Sequence, residues 1–277
     1  MGKFLRRLML LALLVLAAIL FWNYENNTIQ TEEFSVRSRR LPAEFSGFRV
    51  AVVADLHGRE FGENNAELLQ AVEAAQPDII ALCGDLIESD DQLQTVPPLA
   101  AGLTAIAPTF YVTGNHEWAL ADTAALLSVL KDNGVTVLGN DYRLLSLSGA
   151  DIVVAGVHDP NGPADMTTPE ALTEAIRAQL GDPYILMLAH RNDALERWAA
   201  LDVDTVLCGH AHGGIIRLPG VGGLIGTDRQ LLPEYTAGVF TLEGTDMAVS
   251  RGLGCTGLPF RLFNRPELMV IRLEQLT

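Results

Sequence analysis

Between residues 49 and 208 the sequence returns six times to one phrase, a short and nearly continuous apolar run followed by a polar tip: 49–54, 78–83, 109–113, 151–157, 184–189 and 205–208. A strand with one wet face alternates apolar and polar residues, so runs that do not alternate call for burial on both faces. The covering layer is supplied by apolar positions at helical spacing in 64–75, 122–133, 169–180 and 192–200, the second of these closed by Gly134 as a cap. This β-α alternation defines an α/β class. After Gly213 the helical period stops, and 238–242, 247–250 and 268–273 are strand candidates between Gly and Pro turns. No repeat, low-complexity tract or Ser/Gly linker divides 48–277, which points to one domain with two sheets.

What closes the runs is as informative as the runs themselves. Asp55 and His57 follow the first, Asp85 the second, Asn115 and His116 the third, His190 the fifth, and His210 with His212 the sixth. Ligands of open α/β sheets bind at the carboxyl ends of strands, so these residues are expected to converge on one crevice. A single histidine is most simply a core or surface residue, but five of six at strand tips are not explained that way; only His158 lies elsewhere, just after 151–157. Carboxylate, imidazole and amide donors without a thiolate suit Mn²⁺, Fe²⁺ or Zn²⁺ and argue against a closed structural zinc site. Seven candidate ligands are too many for one ion and suit two. A carboxylate bridging two ions about 3.5 Å apart would lower the pKa of a bridging water until hydroxide, the expected nucleophile, exists near neutral pH.

Asp55-Leu56-His57, Gly84-Asp85, Gly114-Asn115-His116-Glu117, His190 and Gly209-His210-Ala211-His212, in this order, resemble the five-part signature of calcineurin-like metallophosphoesterases. Gly213-Gly214, Arg251-Gly252-Leu253-Gly254 and Asn264-Arg265-Pro266-Glu267 resemble the bacterial membrane-associated branch, which extends the similarity over about residues 48–273. The resemblance implies a four-layer α-β-β-α sandwich of two mixed sheets. It implies one ion held by Asp55, His57, His212 and Asp85, a second held by Asn115, His190, His210 and Asp85, and His116 as the residue that protonates the leaving oxygen or steadies phosphoryl charge. Many members of the branch carry Pro two residues after the isolated histidine, where this chain has His190-Arg191-Asn192. Arg191 is therefore either a phosphate-binding residue or a solvated residue in the first turn of the next helix. His158-Asp159 is either a supporting pair behind the ligands or a loop cap, Glu117 either orients His116 or faces solvent, and Arg251 either binds phosphate or pairs with an acid, a direct role being the less favoured reading for each; Cys83, Cys208 and Cys255 are core residues rather than a disulfide framework.

Lys3, Arg6 and Arg7 precede an uncharged run from Leu8 to Trp22, near the lower length limit for a spanning helix. No small-x-small cleavage site precedes Asn23, and Phe21, Trp22 and Tyr24 resemble an interfacial aromatic belt, which favours an uncleaved anchor over a signal sequence. Arg6-Arg7 before the apolar run is also a loose twin-arginine pattern. The expected division is an anchor at 1–24, a tether at 25–46 carrying at most one edge strand, and a catalytic domain at 47–277. Basic residues before the run and acids after it put the N-terminus in the cytoplasm and the domain outside. Beyond the anchor, 16 basic against 34 acidic residues leave a formal charge of −18, which disfavours nucleic-acid partners. The function expected is two-metal hydrolysis of phosphomonoesters or phosphodiesters, on a lipid or cell-envelope substrate or an external nucleotide; the competing class is a catalytically silent, metal-stabilised binding protein at the membrane.

Overall fold

A computed structural model describes residues 2–227, 229–256 and 260–276. The chain opens with helix α1 (Gly2–Asn27) and strand β1 (Gln30–Ser38). The first α/β half follows as β2 (Arg49–Val53), α2 (Ala66–Ala74), β3 (Ile79–Cys83), α3 (Val96–Ile106), β4 (Thr109–Val112), α4 (Thr123–Asp132) and β5 (Thr136–Val137). The second half contains β6 (Asp141–Leu147), β7 (Ala150–Gly156), α5 (Pro169–Leu180), β8 (Ile185–Leu188), α6 (Leu195–Ala200) and β9 (Thr205–Cys208). A small hairpin, β10 (Arg217–Leu218) with β11 (Gly222–Gly223), precedes β12 (Gly238–Leu242), β13 (Thr245–Val249) and β14 (Glu267–Gln275).

Two six-stranded mixed sheets result, ordered β1-β14-β2-β3-β4-β5 and β12-β13-β9-β8-β7-β6. In β3 the side chains of Ile79, Ala81 and Cys83 enter the core between the sheets, while Ile80 and Leu82 face the layer of α2, α3 and α4. In the second sheet Ile152, Val154, Leu186 and Leu188 face the first sheet, and Val153, Ile185 and Met187 pack under α5 and α6. Three apolar cores thus separate four layers, helix-sheet-sheet-helix, and both faces of the central strands are buried because their runs carry no polar face. Local signals agree with the layers. Thr168 Oγ1 accepts from the Ala171 amide at 3.2 Å ahead of Pro169 at the start of α5, Asp122 Oδ1 accepts from Ala125 N at 2.9 Å at the start of α4, and Gly134, at φ +84, receives the end of α4.

Several elements depart from the expected layout. The edge strand within the tether is β1, paired in parallel with β14 from Gln30↔Glu267 to Ser38↔Gln275, so the middle of that segment is built into the first sheet. Helix α1 runs three residues beyond the expected anchor. Helix α3 is an addition to the expected helices; Pro97 and Pro98 sit in its first turn, where the missing N–H groups have no intrahelical acceptor to lose. Helix α6 begins at Leu195 rather than Asn192, since Asn192 donates to the Tyr235 carbonyl from the preceding loop.

Candidate metal centre

The parallel strands β2, β3 and β4 of one sheet and β8 and β9 of the other end at the same edge of the sandwich, and their tips bring together all seven expected ligands. Asp55, Asp85 and His190 are almost fully buried, as are His57 and His212. Around His190 Nε2 lie Asn115 Oδ1 at 3.1 Å, His210 Nδ1 at 3.1 Å and Asp85 Oδ2 at 3.2 Å. On the other side of Asp85, His57 Nε2 is 3.2 Å from His212 Nε2 and 3.8 Å from Asp85 Oδ2, and Asp55 joins these two histidines in one potential ligand cluster. Asp85 Oδ2 is common to both groups. Donors held about 2.1 Å from one ion lie about 3 Å apart, so these spacings fit a metal without large movement.

Five of these residues, Asp55, His57, Asp85, His210 and His212, have positive φ between 48° and 65°. Each such residue costs about 1 kcal/mol, and the loop backbones are held there by neighbours that admit no side chain. A Cβ on Gly209 would meet Asp55 Oδ2 at 2.5 Å, one on Gly84 would meet His190 Nδ1 at 2.7 Å, and one on Gly114 would collide with the Asp85 carboxylate.

The electrostatics fit a cation as well. Burial holds His57 near pKa 3 and His210 near 4, and drives His212 far down, so these imidazoles are neutral with lone pairs available. Burial opposes charge on His190 too, but the Asp85 and Asp55 carboxylates beside it outweigh burial and lift it to about 10. Burial pushes Asp55 up to about 7 against the pull of His190. The protein alone therefore balances its two buried carboxylates with a proton on His190, where a metal ion would supply the positive charge.

Secondary partners orient this set. His190 Nδ1 donates to the Cys83 carbonyl at 2.9 Å, which turns Nε2 into the cluster, and Glu88 Oε1 lies 3.2 Å from His57 Nδ1. His116 sits at the rim: its amide donates to Asp85 Oδ1 at 2.9 Å and its ring stands edge-on to His57 with centroids 4.9 Å apart. Glu117, read as either orienting His116 or facing solvent, does neither: it is fully buried and accepts from the amides of Asp85 at 2.9 Å and of Leu86 and Gly114 at 2.6 Å, so one carboxylate splices two candidate ligand loops. Its place directly after Asn115-His116 was the available signal. Arg191 is half-buried, and Asp159 holds it in a two-point ion pair, Nε–Oδ2 2.7 Å and Nη2–Oδ1 3.2 Å. It lines a cleft of about 280 Å³ with Asp85, Asn115, His116, His210 and Thr227. Arg251 pairs instead with Glu267 at 3.1 Å and Glu32 at 2.9 Å, a structural role. Cys83 and Cys208 are buried and donate to main-chain carbonyls.

Residues 48–214 match the family described as calcineurin-like phosphoesterase. The chain is 31% identical over 257 residues to YkuE of Bacillus subtilis, an uncharacterized metallophosphoesterase, with 90% of this chain and 87% of that protein aligned. It is 28% identical over 249 residues to a bovine transmembrane protein with metallophosphoesterase domain, aligning 85% of this chain with 55% of the longer relative. Among solved structures it is similar in fold to TT1561 of Thermus thermophilus, with TM-score 0.52, 14% identity, and coverage of 75% of this chain and 90% of that one.

Proposed function

Because this chain belongs to the calcineurin-like phosphoesterase family and is thus a metal-dependent phosphoester hydrolase, we propose that its cleft works with two divalent ions, Mn²⁺, Fe²⁺ or Zn²⁺, on phosphomonoesters or phosphodiesters. Asp55, His57 and His212 would hold one ion, Asn115, His190 and His210 the other, and Asp85 would be shared. The observation that carries this reading is the approach of seven donors from five loops, with spacings of 3.1–3.9 Å around Asp85 and His190. Bound there, the ions would supply Lewis-acid charge at the phosphoryl oxygens and ready a water for attack.

The chain's own part is positioning and proton transfer. His116, at the rim and steered through its amide by Asp85, donates a proton to the leaving oxygen as the ester bond breaks. The Arg191 guanidinium, fixed by Asp159, meets a phosphate oxygen and offsets charge that the acidic domain would otherwise repel. Helix α1 is long and apolar enough to cross a membrane, with mean hydropathy 2.4 over its most apolar window. We read it as a single-pass anchor with the catalytic domain outside the cytoplasm. Residues 47–277 then form the catalytic unit, to which β1 contributes an edge.

The test uses the full chain, stripped of metal and given Mn²⁺, Zn²⁺ or Fe²⁺, with hydrolysis of bis(p-nitrophenyl) phosphate and p-nitrophenyl phosphate followed alongside metal content. About two bound ions and metal-dependent turnover are expected. Asp85→Asn should lose both ions and activity together, whereas His116→Ala should keep the ions and lose about 10²–10⁴ in kcat. Wild-type turnover in His116→Ala removes the proton-donor role, and two bound ions without turnover favour the silent binding protein.

A further inference from the structure

The surface beside the cleft is apolar in a way the hydrolytic chemistry does not need. Leu218, Val221, Leu231, Leu232, Phe260 and Phe263 are exposed, Leu231 by 75%, Leu232 by 61% and Val221 by 60%. A monomeric domain rarely gathers that much apolar side chain in one region without a partner. The chain joins most of these residues into one collar: Arg217 N donates to Leu262 O at 3.0 Å, Leu224 N to Ile216 O at 2.8 Å and Leu232 N to Leu224 O at 2.9 Å. Thr227, inside the same loop, lines the cleft and lies 3.5 Å from His210 Nε2, so one segment carries both cleft wall and apolar crest.

The collar is continuous with α1. Phe263 packs edge-on against Phe21 with centroids 5.9 Å apart, and Phe21 precedes the helix end by six residues, about 9 Å along the axis. The helix end is fastened to the same region: Asn26 Oδ1 accepts from Arg261 N at 2.6 Å, and Arg265 Nη1 donates to the Tyr24 hydroxyl at 2.8 Å while its guanidinium lies over the Tyr24 ring. Phe263 is thereby set at the depth of Phe21 and Trp22, the aromatic level of a bilayer boundary. With a formal charge of −18 outside the anchor, the domain gains nothing from electrostatic adhesion to an anionic leaflet, so apolar insertion is the contact this surface can make.

We propose that the collar, residues 217–227 and 229–232 with Phe260 and Phe263, seats the cleft on the bilayer surface, and that the substrates are phosphate esters of membrane lipids hydrolysed in place. The proposal rests on the phosphoesterase reading and on α1 as a membrane anchor. Its step is hydrolysis: water oxygen forms the new bond to phosphorus, the bond from phosphorus to the leaving oxygen breaks, that oxygen takes the proton held by His116, and the proton lost by water returns to the protein. A lipid phosphate already lies a few ångströms above the acyl boundary, so a cleft held at that depth reaches it without extracting the lipid.

The full chain in lipid nanodiscs tests this, wild type against the triple variant Val221→Ser, Leu231→Ser, Leu232→Ser, with bis(p-nitrophenyl) phosphate as the soluble ester and nanodiscs containing phosphatidic acid or phosphatidylglycerol as the lipid ester. Expected are soluble-ester rates within twofold of each other and a loss of tenfold or more on the lipid ester in the variant. Leu231→Trp should gain fluorescence quenched by brominated lipid beyond that of the parent protein. Equal lipid turnover in wild type and triple variant, absence of added quenching, or soluble-ester turnover with no lipid turnover each overturns the collar while leaving the phosphoesterase standing. No turnover of either ester by metal-loaded wild type fails the underlying reading instead. An unquenched Leu231→Trp together with a stable dimer would assign the face to a second copy.

Discussion

Glu117 shows how much a single residue beside the cluster can decide. Its two oxygens serve three main-chain amides, and burial with Asp85 nearby raises its carboxyl to about 7. Charge-assisted bonds of this kind contribute about 1.5–3 kcal/mol each, and Gln in its place keeps one acceptor oxygen while turning an NH₂ group toward an amide. Glu117→Gln should therefore loosen the Asp85 and Asn115 loops together. We expect metal affinity to fall tenfold or more, with kcat lowered at subsaturating metal and recovered at high metal; titration calorimetry and metal-dependent rates check it. Unchanged affinity would mean that the loops hold their shape without this splice. At the same scale the candidate ligand residue types were legible in the sequence, since Asp, Asn and His closed apolar runs. Their positive φ values were not, because nothing local in Asp55-Leu56-His57 announces a left-handed backbone; Gly209, and Gly252 with Gly254, crowd this turn from two distant segments.

The elements divide by how local their causes are. β2, β3, β4, β8 and β9 were readable because both faces are apolar and each run ends in a Gly, Asp or His tip. β1 was scarcely readable, since its polar, half-buried side chains acquire a sheet only from β14, more than two hundred residues away. β6 is an exposed edge whose pattern follows from pairing with β7. The start of β9 has a pH signature of its own. Asp204 accepts from Ile185 N at 2.8 Å and lies 3.3 Å from Arg40 Nε, yet burial prevails and raises its carboxyl to about 6. The folded protein thus binds this proton more tightly than the unfolded chain. The group favours folding most below about pH 4, and that contribution is lost as pH rises through about 6. Relative to Asp204→Asn, the wild type should lose up to about 3 kcal/mol between pH 4 and pH 7, two pKa units at about 1.4 kcal/mol each. Urea unfolding of both proteins at the two pH values measures the difference, and a difference independent of pH would show that Arg40 and Ile185 compensate fully for burial.

On the scale of the whole molecule, helix α1 and the candidate metal centre are connected through Arg261. This buried guanidinium donates to the carbonyls of Arg251 at 2.9 Å, Gly254 at 2.5 Å and Asn264 at 3.2 Å, while its own amide and carbonyl are held by Asn26 at the end of α1. The loop it gathers is the one that touches the ligands: Gly254 N donates to Asp55 O at 2.6 Å, and Asn264 Nδ2 donates to the His212 carbonyl at 2.7 Å. Arg261→Met keeps the length and apolar stem but leaves three buried carbonyls without a donor, at a cost of about 3 kcal/mol or more. At this chain length that corresponds to a fall in Tm of about 6–12 °C. If the loop transmits order from helix to ligands, metal retention against a chelator should weaken at temperatures well below the new Tm. Arg265→Met is the control: it removes more exposed contacts to Tyr24, Thr28 and Ile29 at the same helix end, should cost about 1 kcal/mol, and should leave metal retention unchanged. Equal retention in all three proteins, with only Tm lowered in Arg261→Met, would confine Arg261 to stability and separate the anchor from the centre.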